Sequence, residues 1–146
     1  MFASGSIKLF DVAGTAVRRD AMVENFEVLS TQDNVDAAAA LLLRTTQQEF
    51  PVVDGSGALR GVLTREALIA ALSTTGGRTP VLDIMAKDVP TVSEDSALEP
   101  IMKLLMRGDT PAVGVIDRQG RLKGYVNVQN LAEYFWIRSA QTRSTA

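Results

Sequence analysis

The sequence predicts an α+β fold made of two tandem β-α-β-β-α units, packed sheet to sheet with pseudo-two-fold symmetry. Three observations lead there. The chain lines up with itself, without a gap, when Asp20 is laid on Asp83, a shift of 63 positions. Each copy then carries one single-sided amphipathic helix, and each follows it with two apolar runs around an Asp/Gly turn. A repeat of this length marks one supersecondary unit used twice, and sheets with helices on one face are the architecture that such an element order favours.

The self-match is carried by particular residues. Asp20-Ala-Met22 meets Asp83-Ile-Met85, and Ser30 meets Ser93. Leu41, Leu42 and Arg44 meet Leu104, Leu105 and Arg107. Val52-Val-Asp54 meets Val115-Ile-Asp117, and Gly57, Leu59 and Gly61 meet Gly120, Leu122 and Gly124. The predicted units span 17–75 and 76–138, joined through Ser73–Pro80, whose Gly and Pro residues mark a loop. Residues 1–16 read as a linker or added sequence, and 139–146 as a C-terminal tail.

Each unit opens on a short apolar strand, Phe26–Leu29 and Val89–Val92. A helix follows. Asp33 is the expected cap in the first unit, and Ser96 with Glu99 has the spacing of a capping box in the second. Val35, Ala38, Ala39, Leu42 and Leu43 form the apolar face of one helix. Leu98, Ile101, Met102, Leu105 and Met106 form that of the other. Two hairpins come next, Phe50–Val53 with Leu59–Leu63 and Ala112–Ile116 with Leu122–Val126, turning at Asp54 and Asp117. Closing helices are expected over Arg65–Leu72 and Val128–Arg138. In the aromatic cluster Tyr134-Phe135-Trp136, Phe135 repeats Leu72 and is expected in the core. Tyr134 or Trp136 is then left for the surface, an interface, or packing against Ile7, Leu9, Phe10 and Val12.

Composition removes many functions. The 146 residues include no Cys and no His, so disulfides, thiol nucleophiles, Cys/His zinc sites and Ser-His-Asp chemistry are excluded. Fifteen basic against 17 acidic residues give a net charge of −2, with no footprint for nucleic acid. No apolar run is long enough for direct membrane insertion by this chain. Met1–Thr15 lacks the pattern of a signal peptide, and the missing Cys fits a reducing compartment. The acidic residues Asp33, Asp36, Asp54, Glu94, Asp95 and Asp117 are scattered, with no nucleophile or metal cluster beside them, so the chain itself reads as a non-enzyme.

The repeated spacing "Met … Phe-Pro-Val-Val-Asp … Gly-x-Leu-x-Gly-Val-Leu-Thr" resembles a pair of cystathionine-β-synthase-type domains, a CBS pair or Bateman module, over about 17–138. Three phrases, Arg19–Val23, Leu42–Asp54 and Asn130–Ala140, resemble the CBS tail of prokaryotic site-2-type intramembrane zinc metalloproteases. The resemblance implies a regulatory module, not an enzyme, holding an adenine nucleotide (ATP, ADP or AMP) in clefts between the units, and a homodimer. It further implies a parent protease domain as partner, and a location in the cytoplasm or on the cytoplasmic face of the membrane. The alternative is a structural homodimerisation module whose nucleotide sites have decayed.

The family pattern Gly-x-x-Thr/Ser-x-x-Asp, where Thr/Ser faces phosphate and Asp holds the ribose, maps onto Gly61-Val-Leu-Thr64-Arg65-Glu66-Ala67 and Gly124-Tyr-Val-Asn127-Val-Gln-Asn130. The resemblance makes Thr64, Arg65, Asn127 and Asn130 ligand candidates. Ala67 stands where the first Asp belongs, and Asn130 where the second does. Phe50, Pro51, Pro90 and Thr91 fall where the family's base pocket forms, and Gly114 replaces Pro51 in the second unit. Each has a plainer reading. Thr64 and Asn127 are good helix caps, Arg65 a surface residue, Asn130 a solvated first-turn residue. The prolines suit strand edges, and Gly114 suits a bulge, a close approach or a degraded pocket.

Overall fold

The computed structural model describes residues 21–144. The expectations for residues 1–16, and any packing of Ile7, Leu9, Phe10 or Val12, lie outside the described residues. The first half comprises β1 (Leu29–Ser30), α1 (Val35–Leu42), β2 (Glu49–Val53), β3 (Leu59–Thr64) and α2 (Arg65–Thr74). The second comprises β4 (Thr91–Ser93), α3 (Leu98–Met106), β5 (Val113–Ile116), β6 (Leu122–Val126) and α4 (Val128–Ser144), preceded by a 3₁₀ turn at Val81–Asp83. The expected β-α-β-β-α order therefore holds in both halves. The opening strands are shorter than expected and start later, because Phe26–Val28 and Val89–Pro90 lie outside the parallel ladders. The closing helix α4 continues past Arg138 to Ser144.

Each half holds a three-stranded mixed sheet, β1-β2-β3 or β4-β5-β6. The first pair is parallel, through Leu29↔Val52 and Thr91↔Gly114, and the second is an antiparallel hairpin. The two turns are built alike. Asp54 Oδ1 accepts from the Ser56 amide at 2.9 Å, and Asp117 Oδ1 from the Gln119 amide at 2.8 Å. Gly57 and Gly120 then take φ of +86° and +82°, which a side chain would resist.

Two helix caps differ from expectation. Asn34, not Asp33, caps α1 by accepting from the Ala37 amide at 3.0 Å. Asp33 instead accepts from the Ser30 amide at 2.8 Å, closing the turn before the helix. At α3 no capping box forms: the cap is Ala97, without a side-chain bond, and Ser96 Oγ donates to the Ala97 carbonyl. The apolar faces are also narrower than the periodicity suggests. Val35, Ala38 and Leu41 are buried on α1, and Leu98, Ile101 and Leu105 on α3. Leu43 and Met106, equivalent in the two copies, are exposed because α1 ends before Leu43 and α3 ends at Met106. In α4 the buried aromatic is Tyr134. Phe135 is only half-buried, its ring meeting the Tyr134 ring edge-on, and the equivalent Leu72 is largely exposed.

The halves are joined by an exchange. Val23, from the start of the first repeat, pairs with Tyr125 on β6 of the second half. Ala86, from the start of the second repeat, pairs with Val62 on β3 of the first. Subtracting the 63-residue shift from Ala86 and Tyr125 gives Val23 and Val62, so the two bridges are images under the pseudo-two-fold. The cores follow the exchange: Ala21 and Met22 pack among Leu98, Ile101 and Tyr134, while Val81, Ile84 and Met85 pack among Val35, Phe50 and Leu68. Gly61 and Gly124 let the exchanged strands approach. A Cβ at Gly61 would lie 2.6 Å from the Ala86 carbonyl oxygen, and one at Gly124 2.7 Å from that of Val23. Across the sheet faces, the Leu122 amide donates to the Gly57 carbonyl at 3.0 Å, and Leu59 Cδ2 lies where a Gly114 side chain would stand.

Candidate functional site

The exchange places the entry of β2 from one half against the end of β6 and the start of α4 from the other. Glu49 begins β2, and Asn127 is the residue between β6 and α4. Asn127 is buried, and both of its side-chain polar atoms are paired, as those of most buried polar side chains are. Its Oδ1 accepts from the Asn130 amide at 2.7 Å, capping α4, and its Nδ2 donates to Glu49 Oε1 at 2.9 Å. Tyr125 is buried beside them, its hydroxyl donating to the Glu49 carbonyl at 3.3 Å and its ring meeting Phe26 edge-on at 5.5 Å. Burial first, then the Glu49 carboxylate and their hydrogen bond, hold that hydroxyl far above the usual tyrosine range, so it remains a donor.

These groups open onto a cleft of about 280 Å³. Its walls are Val23 and Asn25 from the exchanged segment, residues 45–49, and Tyr125, Asn127, Gln129 and Asn130. Among these lining residues Glu49 alone carries a charge. A second hollow of about 460 Å³ adjoins it, sharing Asn25, Thr45 and Gln47, with the Arg44–Glu27 ion pair of 3.2 Å among its lining groups. Gln47 staples the wall between them. Its amide nitrogen donates to the carbonyls of Glu27 at 2.8 Å and Glu49 at 2.7 Å, and its oxygen accepts from the Glu27 amide at 2.8 Å.

The structure disperses the sequence candidates. Asn127 and Asn130 line the cleft. Phe50 is fully buried in the first core and Pro51 lies inside β2 opposite Val62. Thr64 caps α2 by accepting from the Ala67 amide at 3.1 Å, the place equivalent to Asn127. Arg65 points back over the α1–β2 loop, donating to the carbonyls of Leu42, Thr45 and Gln47 at 3.1–3.3 Å. Pro90 accepts from the Gly114 amide at 3.0 Å, Thr91 is the exposed first residue of β4, and the group that approaches Gly114 closely is Leu59 of the other half. Sequence reasoning passed over Glu49, Gln47, Asn25 and Tyr125. Glu49 did leave a trace: a lone acid at the head of an apolar strand whose copy begins with Ala112.

Because Arg65 ties the last carbonyl of α1 and two carbonyls of the loop that walls the cleft, Arg65→Ala is expected to lower stability by about 1–3 kcal/mol and to speed amide exchange at residues 44–48. Unchanged exchange there would remove Arg65 from this role.

The family model for the CBS domain matches residues 17–74 and again 81–137. Homoserine O-acetyltransferase of Methanosarcina acetivorans is 24% identical over 116 residues, which is 80% of this chain and 21% of that protein. The chain thus spans about a fifth of the length of these curated relatives. The cytosolic domain of the Mg²⁺ channel MgtE in complex with ATP superposes with a TM-score of 0.66 at 29% identity, covering 78% of this chain and 46% of that one. CBSX2 in complex with AMP superposes with a TM-score of 0.65 at 25% identity, covering 86% and 96%.

Proposed function

Since the chain belongs to the CBS domain family, as a tandem pair, we propose that it is a regulatory module that senses an adenine nucleotide (AMP, ADP or ATP) in the clefts between its halves. The observation that carries the reading is the cleft at the β6–α4 junction, walled by both halves and opening on the first turn of α4. The similar structures that hold AMP and ATP support the ligand class. A ligand seated across the junction shifts the relative arrangement of the halves only by preferring one arrangement, which a cleft walled by both allows. Within this reading Asn127 and Asn130 serve the β6–α4 cleft. Thr64 and Arg65, with Pro90, Thr91 and Gly114, belong to its pseudo-symmetric counterpart, and Phe50 and Pro51 support the first from behind.

The parent we propose is an intramembrane zinc metalloprotease bearing this module as its cytosolic tail, supported by the phrases at 19–23, 42–54 and 130–140. No helix among the described residues is long and apolar enough to cross a membrane, so attachment would be through that parent. A His-Glu-x-x-His helix within membrane segments of the same gene product is the expected finding, and a different parent domain would overturn this part. For the ligand, isothermal calorimetry with adenosine, AMP, ADP and ATP is expected to give saturable heat with at least one. No heat from any of them at millimolar concentration would overturn the sensing role.

One observation favours a second reading, a homodimerisation module. Ile69 and Leu72 share a face of α2, and Val128, Trp136 and Ile137 on α4 are likewise exposed, Trp136 at 70%. Sedimentation equilibrium is expected to show a dimer without ligand, whereas a monomer at high concentration would exclude this role.

A further inference from the structure

We infer that the β6–α4 cleft selects an uncharged adenosine-type nucleoside over its phosphorylated forms, with Glu49 as the residue that sets this choice. The inference rests on the adenine part of the reading above and departs from its phosphate part for one cleft: here the ligand is the nucleoside, and AMP, ADP and ATP are left to the pseudo-symmetric cleft.

The start of a helix attracts an anion, because its first amides lack partners and its dipole end is positive. At α4 one of those amides, that of Asn130, is already supplied from within the chain. The Asn127 oxygen takes the Asn130 amide, and its amide in turn holds the Glu49 carboxylate at 2.9 Å. A negative group thus stands fixed at the position toward which a phosphate would be drawn. Among the described lining residues no cation offsets it. The other described lining residues are amides, hydroxyls and Val23. Two guanidiniums stand near its wall without lining it: Arg65 directs its N–H groups to the carbonyls of Leu42, Thr45 and Gln47, and Arg44 pairs with Glu27. A phosphate entering this site therefore meets like charge with no cation among the described lining residues.

The same carboxylate suits a ribose. One oxygen accepts from Asn127, and a carboxylate has about four lone-pair sites, leaving capacity for sugar hydroxyls. Asn130, standing where a carboxylate would grip the ribose more strongly, is neutral. Glu49 restores that charge from across the junction, 78 positions away from Asn127. The pseudo-symmetric position is Ala112, so this filter is built into one cleft alone.

The test compares adenosine with AMP, two probes that differ by the phosphate, on the full chain and on Glu49→Gln. Calorimetry supplies the affinities, and the Asn127 side-chain amide resonance reports occupancy of this cleft. In the unaltered protein adenosine is expected to bind at least about tenfold more tightly than AMP. Glu49→Gln is expected to weaken adenosine and strengthen AMP, an opposite movement that a merely damaged site would not produce. Should Glu49→Gln fail to fold, Glu49→Ala repeats the test with the residue that the other copy carries. AMP binding as tightly as adenosine at this amide, or both ligands moving in the same direction on substitution, overturns the inference and leaves the adenine reading standing. Heat from adenosine or AMP with no change at the Asn127 amide overturns it too, placing the ligand elsewhere. Silence from adenosine, AMP, ADP and ATP alike overturns both.

Discussion

Gly61→Val is expected to destabilise the fold by about 3 kcal/mol, combining overpacking with loss of the strand bridge beside it. Gly61 lies on β3 where the exchanged segment Met85-Ala86 crosses, and a Cβ there would stand 2.6 Å from the Ala86 carbonyl oxygen. The Val62–Ala86 pair next to it is closed by two hydrogen bonds of 3.0 and 2.8 Å. A backbone oxygen cannot rotate away as a side-chain tip can, so the segment must lift. Urea unfolding gives the size of the loss. Faster amide exchange at Val62 and Ala86, with the β2–β3 hairpin still protected, gives its location. Gly114→Ala is the control, because its new Cβ would meet the movable end of Leu59, and it is expected to cost less. Equal losses for the two variants would mean that the exchange does not constrain Gly61.

Phe50→Ala is expected to cost about 3–5 kcal/mol, the range for emptying a buried aromatic site. The side chain is fully buried among Leu29, Val35, Leu63 and Leu68 in the first core. Against a total stability of about 5–15 kcal/mol for a domain of this kind, that loss approaches unfolding at physiological temperature. Phe50→Leu, which keeps most of the volume, should recover the larger part. The pair separates two roles for this position. A residue that only touches a ligand would lower affinity and leave the denaturation midpoint in place. A core residue moves the midpoint, and affinity follows only through the loosened Glu49 next to it.

What was legible beforehand was whatever neighbouring residues decide. The helices α1 and α3 announced themselves through Val35/Ala38 and Leu98/Ile101, because a 3.6-residue period turns those positions to one side. The hairpins were legible through Asp54…Gly57 and Asp117…Gly120, since the turn needs an acceptor at its start and a positive φ at its end. Local reasoning began to fail where two adjacent residues competed for one place. Asp33 and Asn34 both suit a cap, and the chain path out of β1 gave Asp33 to the Ser30 amide instead. Tyr134 displaced Phe135 from the core for a similar reason. Ala21, arriving from the other repeat, packs in the cluster that Tyr134 enters, and no such neighbour is visible in the α4 sequence.

By itself, then, the sequence determined the repeat, the order of elements and the α+β class, all of which follow from short-range periodicity and turn chemistry copied once along the chain. Tertiary structure alone decided that Val23 and Ala86 cross to the opposite half, and that Glu49 meets Asn127. Segments of two or three residues carry no pattern naming their partner; that choice is made by which sheet edge the packed halves leave open. The charge of the cleft is settled there too, because a carboxylate and an amide separated by 78 positions become neighbours only when both halves are in place.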